Sequence, residues 1–539
     1  MNERNAAPSR GGVFLSAWRE ATAGHYQASQ TRLNLGRMSR PPFRLIAALA
    51  LTLAACVQQP VPSSDASPLV LAGEITRADH QTYREIPFHV PPGTQRITID
   101  FAYTGKENRT VIDIGVRDPE GQRGWSGGNK SQIEIGAQAA TPSYRAGTIQ
   151  PGAWKLVLGI PNIRDGQSAN YTATVRFSNA PDRPTAGPSV RQAATAPSDV
   201  SKWRRGDFHT HTAHSDGSCG PEGERGPCPT LSTFIAARDA GLDFVAVTDH
   251  NTITQLADIR MLQALSSAPL LIPGTEITTF NGHANVVGNT DFLDFQLGSP
   301  RLPTIARLLD QVDAANAFIS VNHPSLPSGE ACMGCGWTVN DTDWSRITAI
   351  EVINGASMRT SGPEGAFNGI AFWEARLRQG HRITAIAGSD NHDATDTMGA
   401  KQSPVGTPTT VVYASEMSTQ AIIAGVKSGR VFVDAGAPKG ASFEMTARAA
   451  SAEAGMGGEL RLAPRERAAV RIDFGNFPPG AHTQPISHNL LVTPGLAPGN
   501  DFAVSLQDGA SSGWFRVNIR DAAGRLLLLG NPIYLVRGG

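Results

Sequence analysis

"LSTFIAARDAGLDFVAVTDH", residues 231–250, joins a helix-like segment to a short apolar strand that ends in an aspartate and a histidine. The same alternation recurs along residues 201–435. Further strand-like stretches are "APLLIPGTEI", "GHANVVG", "AFISVNHPS", "ITAIEVING" and "RITAIAGSDNH", and further helix-like segments are "IARLLDQVDAANA" and "FNGIAFWEARLRQG". Because strands that alternate with helices usually pair in parallel, this region is predicted to form a parallel sheet or barrel.

The segments on either side of this region have a different periodicity. In residues 69–178 apolar residues recur at every second position, as in the run from Arg96 to Tyr103. The same period returns in residues 436–539. Such alternation between polar turns predicts an antiparallel β-sandwich in each segment, the second one smaller. Residues 179–200 are rich in proline, alanine, serine and threonine, which indicates a linker.

The N-terminal segment has the pattern of an export signal. "MSRPPFRLIAALALTLAAC", residues 38–56, has two arginines before an apolar stretch, residues 45–55. That stretch is shorter than the ~20 residues with which a helix crosses a bilayer. Its end resembles a bacterial lipobox, so we interpret residues 1–56 as an N-terminal extension and lipoprotein signal. An ordinary secretory signal is the alternative interpretation, and both Met1 and Met38 are possible starts.

The lipobox resemblance bears on location and on the cysteines. Cys56 would carry lipid and anchor an exported chain on the periplasmic face of a bacterial membrane, with the outer membrane expected. In an oxidising compartment the remaining cysteines are expected to form local disulfides, Cys219 with Cys228 and Cys332 with Cys335. A redox pair in "CMGC" and a structural zinc site are the alternatives.

The charge balance argues against nucleic acid as a partner. Lysine and arginine total 47, and aspartate and glutamate also total 47. A chain without excess positive charge has no global field to hold a phosphate backbone.

Histidines and carboxylates of the central region fall mostly at the ends of predicted strands. "GDFHTHTAHSDG", residues 206–217, places two histidines two positions apart, so both side chains project to one side of an extended segment. Because the strand ends of a β/α barrel meet at one face, we predict a metal site there. The candidate groups at these strand ends are His209, His211, Asp249, His250, Glu276, His283, His323, Asp390 and His392. They exceed the ligands that one ion takes, so two or three divalent ions of zinc, manganese or iron are expected.

These motifs resemble the PHP superfamily, the polymerase and histidinol phosphatase type of metallohydrolase. The matching stretches are "DFHTHTAHSDG", "DFVAVTDHNT", "GTEITTFNGHANVVG", "NHP" and "GSDNH", in that order within residues 207–392. The segments "GTPTTVVYASEMSTQAIIAGVKSGRVFV" and "GNPIYLV" resemble the branch that includes carbamate-insecticide hydrolases. The resemblance implies an α/β fold, a distorted seven-stranded β/α barrel, here flanked by N- and C-terminal antiparallel β-sandwich domains.

The resemblance also implies how the ligands are shared. One metal would be held by His209, His211, Glu276 and Asp390. Glu276 would bridge to a second metal, which His283 and His323 also hold. A third would be held by Asp216, His250 and His392. The nucleophile would be a hydroxide bound to the metals, so no protein nucleophile is needed.

Three further residues are candidates for supporting roles. Asp249 neighbours a predicted ligand and is interpreted either as a proton-handling group or as a cap for the following loop. His214 is expected at the mouth of the pocket. Arg359 lies after a strand and could bind a phosphate or carboxylate.

The sequence supports several functions. The first is a phosphoesterase that acts on a small phosphoester or nucleotide. The second is a carbamate or carboxylic ester hydrolase with the same metal site. The others are 5′–3′ exonuclease-like trimming and a non-catalytic surface-binding lipoprotein. A small-molecule ester or phosphoester is therefore the expected substrate.

Overall fold

The structure is a computed structural model that describes residues 67–180, 202–330, 332–450, 452–495 and 501–538. The predicted lipoprotein signal, Cys56 and residues 181–200 of the predicted linker lie outside these ranges. Among the described helices, none is both long and apolar enough to cross a bilayer.

The first part of the described chain forms two four-stranded antiparallel sheets around one core. Its strands are β1 (Leu69–Thr76), β2 (Thr82–Val90), β3 (Arg96–Tyr103), β4 (Val111–Asp118), β5 (Gly121–Gly127), β6 (Gln132–Gly136), β7 (Gly152–Asn162) and β8 (Ser168–Ser178). The sheet orders are β1-β8-β3-β6 and β2-β7-β4-β5. Alternate residues of β3, namely Ile97, Ile99 and Phe101, are buried against the fully buried Trp154. This arrangement is the antiparallel sandwich that the period-two pattern predicts.

Seven strands and five helices form the central region. The strands are β9 (Lys202–Asp207), β12 (Phe244–Val247), β13 (Leu270–Thr279), β14 (Gly282–Val287), β15 (Phe318–Val321), β16 (Ala349–Asn354) and β17 (Thr384–Gly388), and a short ladder joins β10 (Ser218–Cys219) to β11 (Gly226–Pro227). The helices are α1 (Thr230–Ala240), α2 (Leu256–Leu265), α3 (Ile305–Ala314), α4 (Gly355–Ser361) and α5 (Ile370–Arg378). The seven strands are neighbours in the order β17-β16-β15-β14-β13-β12-β9.

The predicted parallel sheet or barrel departs from parallel pairing at β14. This strand runs antiparallel to both neighbours, β13 and β15. The cause is local, because only Phe280 and Asn281 separate β13 from β14. A two-residue connection can join antiparallel strands, whereas a parallel pair needs a crossover of a dozen or more residues.

The sheet continues from β9 through β18 (Thr409–Ala414) and β19 (Val431–Asp434), with α6 (Thr419–Lys427) between them. The last strand of the seven-strand run, β17, contacts β18 through the side chain of Thr410. The Ala387 N–H donates to Thr410 Oγ1 at 2.8 Å, and Thr410 Oγ1 donates to the Ala387 carbonyl at 2.7 Å. The segments directly after β9 and β17 also pair through their backbones, since the His211 N–H donates to the Asn391 carbonyl and the Asp390 N–H donates to the His209 carbonyl, each at 2.9 Å. Among the described residues this pairing is an isolated bridge, so a closed seven-stranded barrel stays a prediction.

The C-terminal strands form a second two-layered arrangement. They are β20 (Ser442–Arg448), β21 (Glu453–Gly455), β22 (Glu459–Leu462), β23 (Ala468–Gly475), β24 (His482–His488), β25 (Leu490–Pro494), β26 (Asp501–Leu506), β27 (Ser512–Arg520), β28 (Leu526–Gly530) and β29 (Ile533–Arg537). One layer has the order β21-β20-β23-β26-β25. The other belongs to the central sheet, since β19 pairs with β28. The sheet therefore crosses the predicted domain limit at 435/436, and the domain limits stay predictions.

Asn531 joins three strands of this region through one buried side chain. Its amide donates to the carbonyls of Ala385 and Val431, each at 2.9 Å, and its Oδ1 accepts from the Ala385 N–H at 2.7 Å. The residue is fully buried. The Ala385 and Val431 residues are also fully buried, so their backbone groups depend on this side chain for hydrogen bonds.

We expect Asn531→Ala to lower the free energy of unfolding by about 2–4 kcal/mol, because it leaves buried backbone groups without partners. Urea denaturation of the full chain measures the change. Asn340→Ala, at an exposed position, is the matched control and should change stability by less than about 0.5 kcal/mol. Equal effects of the two substitutions would contradict the structural role of Asn531.

Candidate metal centre

The structure brings together the nine ligands that the family resemblance implies. Glu276 and His283 lie within β13 and β14, and the other seven lie in loops that follow strands. Their ligand atoms form overlapping groups whose members lie within 4.8 Å of one another. Geometry of this kind is what the strand-end pattern predicts, while metal binding itself is a proposal.

The first group consists of His209, His211, Glu276 and Asp390. Both imidazole Nε2 atoms lie 3.3 Å from Glu276 Oε2, and they lie 3.3 and 3.2 Å from Asp390 Oδ1. An ion with bonds of about 2.0–2.1 Å separates tetrahedral ligands by about 3.3–3.4 Å. The four atoms therefore have the spacing of ligands to a single zinc-sized ion.

Two further groups adjoin the first. Glu276 Oε1 lies 3.5 Å from His283 Nδ1 and 3.4 Å from His323 Nε2, so the two oxygens of this carboxylate face different histidine pairs. Asp216 Oδ1 lies 3.3 Å from His392 Nε2 and 3.7 Å from His250 Nε2. These separations match the sharing that the family resemblance implies, with Glu276 between the first two groups.

The central atoms of the site are buried without hydrogen-bond partners. They are His209 Nε2, His211 Nε2, Glu276 Oε2, Asp216 Oδ1 and His283 Nε2. Buried polar atoms in proteins are normally paired, and an orphaned set needs a cause. Divalent ions would satisfy His209 Nε2, His211 Nε2, Glu276 Oε2 and Asp216 Oδ1, so the residues present fit a metal cluster.

Hydrogen bonds on the outer side of the rings orient four imidazoles. His209 Nδ1 donates to Glu351 Oε1 at 2.9 Å, and His323 and His392 Nδ1 donate to backbone carbonyls at 2.9 Å. His250 Nδ1 contacts Thr278 Oγ1 at 2.5 Å, and it also lies 3.0 Å from Glu276 Oε2. Metal-binding histidines typically have such a partner, which fixes the tautomer and aims the other nitrogen at the ion.

The carboxylates give the site a strong attraction for positive charge. Burial by itself raises the pKa of Glu276, but His209 and His250 outweigh it and hold that pKa well below its usual range. Burial by itself lowers the pKa of His392, but attraction to Asp216 outweighs it and raises the pKa to about 10. Burial lowers the pKa of His211 to about 4, which leaves its ring neutral and available as a ligand.

Backbone conformations around the site are unusual. His323 and Asp390 have φ values of 28° and 54°, in a region that side-chain-bearing residues rarely adopt. Gly388 has no room for a side chain, because a Cβ would lie 2.3 Å from His209 Cβ. The surrounding structure must hold these conformations in place.

Sequence reasoning missed several residues that hold the ligands. Glu351 also accepts from the His323 N–H at 2.9 Å, and its signal is a lone glutamate in the apolar strand "ITAIEVING". Asp207 accepts from the N–H groups of His209, Ser389 and Gly406, which ties the first loop to two later ones. Lys130 of the N-terminal sandwich donates to carbonyls of the loop before Asp216, and nothing in the sequence indicates this contact.

The structure favours the capping role for Asp249. This residue is fully buried, and its carboxylate accepts from Thr212 N–H at 2.8 Å, Thr212 Oγ1 at 2.7 Å and Ser215 Oγ at 2.6 Å. Both oxygens are occupied in holding the loop that carries Asp216. The proton-handling interpretation of Asp249 stays a prediction.

His214 and Arg359 do not lie where we expected them. His214 turns away from the pocket, with Nδ1 2.8 Å from Thr254 Oγ1 and Nε2 3.1 Å from Asp258 Oδ2. Arg359 donates to the carbonyls of Gly399, Ala400 and Gln402 and holds that loop. Neither side chain lines the cavity beside the metal-type cluster. Hydrogen bonds to nearby residues occupy both side chains.

Only one of the two expected disulfides is present. Cys332 and Cys335 are bonded, whereas Cys219 and Cys228 are free thiols. Burial and the contact with the Cys219 thiol raise the pKa of Cys228 to about 12, so it is protonated at neutral pH. The prediction of a Cys219–Cys228 bond is therefore not met, although the ladder between β10 and β11 brings the two residues close.

Comparisons with known proteins give distant structural neighbours. No protein-family model matches the chain. No curated protein matches it either. A two-domain protein from Bacteroides vulgatus ATCC 8482, containing a predicted PHP-like metal-dependent phosphoesterase, is similar with a TM-score of 0.34 and 18% identity, over 64% of this chain and 99% of that one. A candidate metal-dependent phosphoesterase from Bifidobacterium adolescentis ATCC 15703 has a TM-score of 0.25 and 15% identity, over 37% and 90%.

We expect Glu351→Gln to weaken metal binding by roughly 10- to 100-fold, because an amide orients and polarises the His209 ring less than a carboxylate does. A competition titration of the full chain against a chromophoric zinc chelator measures the affinity. Glu222→Gln, whose side chain is 90% exposed, should bind metal as the unaltered chain does. Unchanged affinity in Glu351→Gln would show that His209 does not depend on this carboxylate.

Proposed function

We propose that the protein is a metal-dependent hydrolase. The observation that carries this proposal is the set of four donor atoms from His209, His211, Glu276 and Asp390 at ligand spacing, with three of them buried without hydrogen-bond partners. A site kept only for structure would pair these groups with one another. Instead, they point at a common position.

Bound divalent ions would supply hydroxide at neutral pH and neutralise charge that develops on the substrate oxygen. The protein's own residues hold the geometry for this chemistry. Glu351 keeps the proton on His209 Nδ1, so that Nε2 presents its lone pair. Asn322 donates to Glu276 Oε1 at 3.0 Å and Asn354 donates to Asp390 Oδ2 at 3.2 Å, which fixes both carboxylates.

A phosphoester is the first candidate substrate. Because the two oxygens of Glu276 face different histidine pairs, two ligand groups lie next to each other. Adjacent metal positions are typical of phosphatases and nucleases, where they stabilise both the attacking and the leaving oxygen. No protein nucleophile is required in this scheme.

A carboxylic ester or carbamate is the second candidate, and one observation favours it. Among the described residues no lysine or arginine lines the cavity beside the cluster. Phosphoryl transfer usually recruits positive side chains to the equatorial oxygens, in addition to the metals. Arg359, the side chain considered for this role, is bound to backbone carbonyls elsewhere.

The same proposal includes the features that sequence alone suggests. The seven strands would form the distorted barrel of the PHP superfamily, within the branch that resembles carbamate hydrolases. The chain would be exported and anchored through lipid at Cys56. These features support a surface enzyme that acts on small molecules.

The test uses the full chain loaded with manganese or zinc, with metal content measured per chain. Nitrophenyl phosphate and a nitrophenyl ester or carbamate share one leaving group and are assayed side by side. His209→Ala should lower turnover by at least about 100-fold, since it removes a ligand that faces two carboxylates. His381→Ala, placed before β17 and away from the cluster, is the control. A chain that binds no metal after loading would contradict the proposal.

A further inference from the structure

A cavity of about 300 Å³ lies between the N-terminal sandwich and the metal-type cluster. On one side it is lined by Asp216, His250 and His283 of the cluster. On the other it is lined by residues of strands β2, β4, β5 and β7, so the sandwich supplies a wall of the site. A molecule whose reacting bond lies at the cluster would therefore place the rest of its body against the sandwich.

Asp113 is the unusual residue of that wall. It lies on β4 with its side chain lining the cavity, and no hydrogen bond or ion pair to its carboxyl is found among the described residues. Burial raises its pKa to about 7, and attraction to His250 opposes this shift. The Asp113 carboxyl is partly exposed to the cavity and has no partner there among the described side chains, so a ligand group could supply one.

The surroundings of Asp113 select against anions. Aromatic rings of Tyr83, Trp125 and Phe280 line the same cavity. The other carboxyl on this side, Glu330, is already paired with Arg164 at the rim. An anionic group in this position would face the Asp113 carboxylate with no lysine or arginine among the lining residues to compensate.

We propose that this cavity binds an organic cation, a protonated or quaternary amine carried by the substrate, against Asp113 and the neighbouring aromatic rings. Aromatic faces and a carboxylate are the groups with which proteins recognise ammonium ligands. The proposal rests on the proposed function, which identifies the bond that reacts. It adds the class of substrate: an ester that carries a cationic group on the side away from the metals. Asp113 would be a specificity residue.

The test compares two compounds of the same shape. Choline and 3,3-dimethylbutan-1-ol differ in that a quaternary nitrogen replaces a quaternary carbon, and both have the hydroxyl group. Isothermal titration calorimetry on the metal-loaded full chain gives the dissociation constant of each. We expect choline to bind at least about tenfold more tightly, the size of a partly desolvated charge interaction. Asp113→Asn should reduce the ratio to about twofold or less.

Glu120→Gln is the matched control, because Glu120 is an exposed carboxyl in the turn between β4 and β5, outside the cavity. It should keep the full ratio. Equal affinities for the two compounds, no binding of either, or a preference that survives Asp113→Asn would each overturn the proposal. The comparison on the unaltered chain stands even if Asp113→Asn does not fold.

Measurements of binding and of turnover distinguish the cation site from the proposed hydrolase activity. A choline preference that depends on Asp113, in a chain that hydrolyses no ester, would support the cation site and contradict the hydrolase. Hydrolysis of neutral esters without any choline preference would do the reverse.

Discussion

The arrangement of the whole site depends on one buried carboxylate, that of Glu276. It is 1% exposed, and its two oxygens face separate histidine pairs, His209 with His211 and His283 with His323. A charge in such a position must be compensated by positive groups, because burial without them would cost several kcal/mol. Strand β13 holds it in the middle of the seven-strand run, so the loops around it converge on one point.

Much of the arrangement of the site could be predicted from the sequence, for a physical reason. Short apolar strands separated by helical segments can be recognised from their composition. Ligands that directly follow such strands lie at the same edge of the sheet. His209, His250, His323 and Asp390 were found in this way. The hairpin from β13 to β14 could also have been recognised, because the two residues between these strands leave no room for a crossover.

Other contacts had no local signal. Lys130 donates to the loop before Asp216 from a segment more than 80 positions away. In the sequence it cannot be distinguished from an ordinary surface lysine. Arg359 and His214 carry functional groups that suit a pocket, but nearby carbonyls and carboxyls bind them first. The free thiols of Cys219 and Cys228 show the same limit, since proximity along the chain does not determine bonding.

The N-terminal sandwich forms one wall of the cavity, and this affects how substitutions can change the protein's specificity. The groups that resemble metal ligands all come from residues 209–392, whereas Asp113 and Trp125 come from strands β4 and β5 of the N-terminal sandwich. The residues that would carry out the reaction and the residues that would select the substrate therefore lie in different parts of the chain. Substitutions at the cavity-lining positions of β4 and β5 would redirect the protein to other molecules while the cluster stays intact. Conversely, an isolated central region would keep its ligands but lose the sandwich side of the cavity.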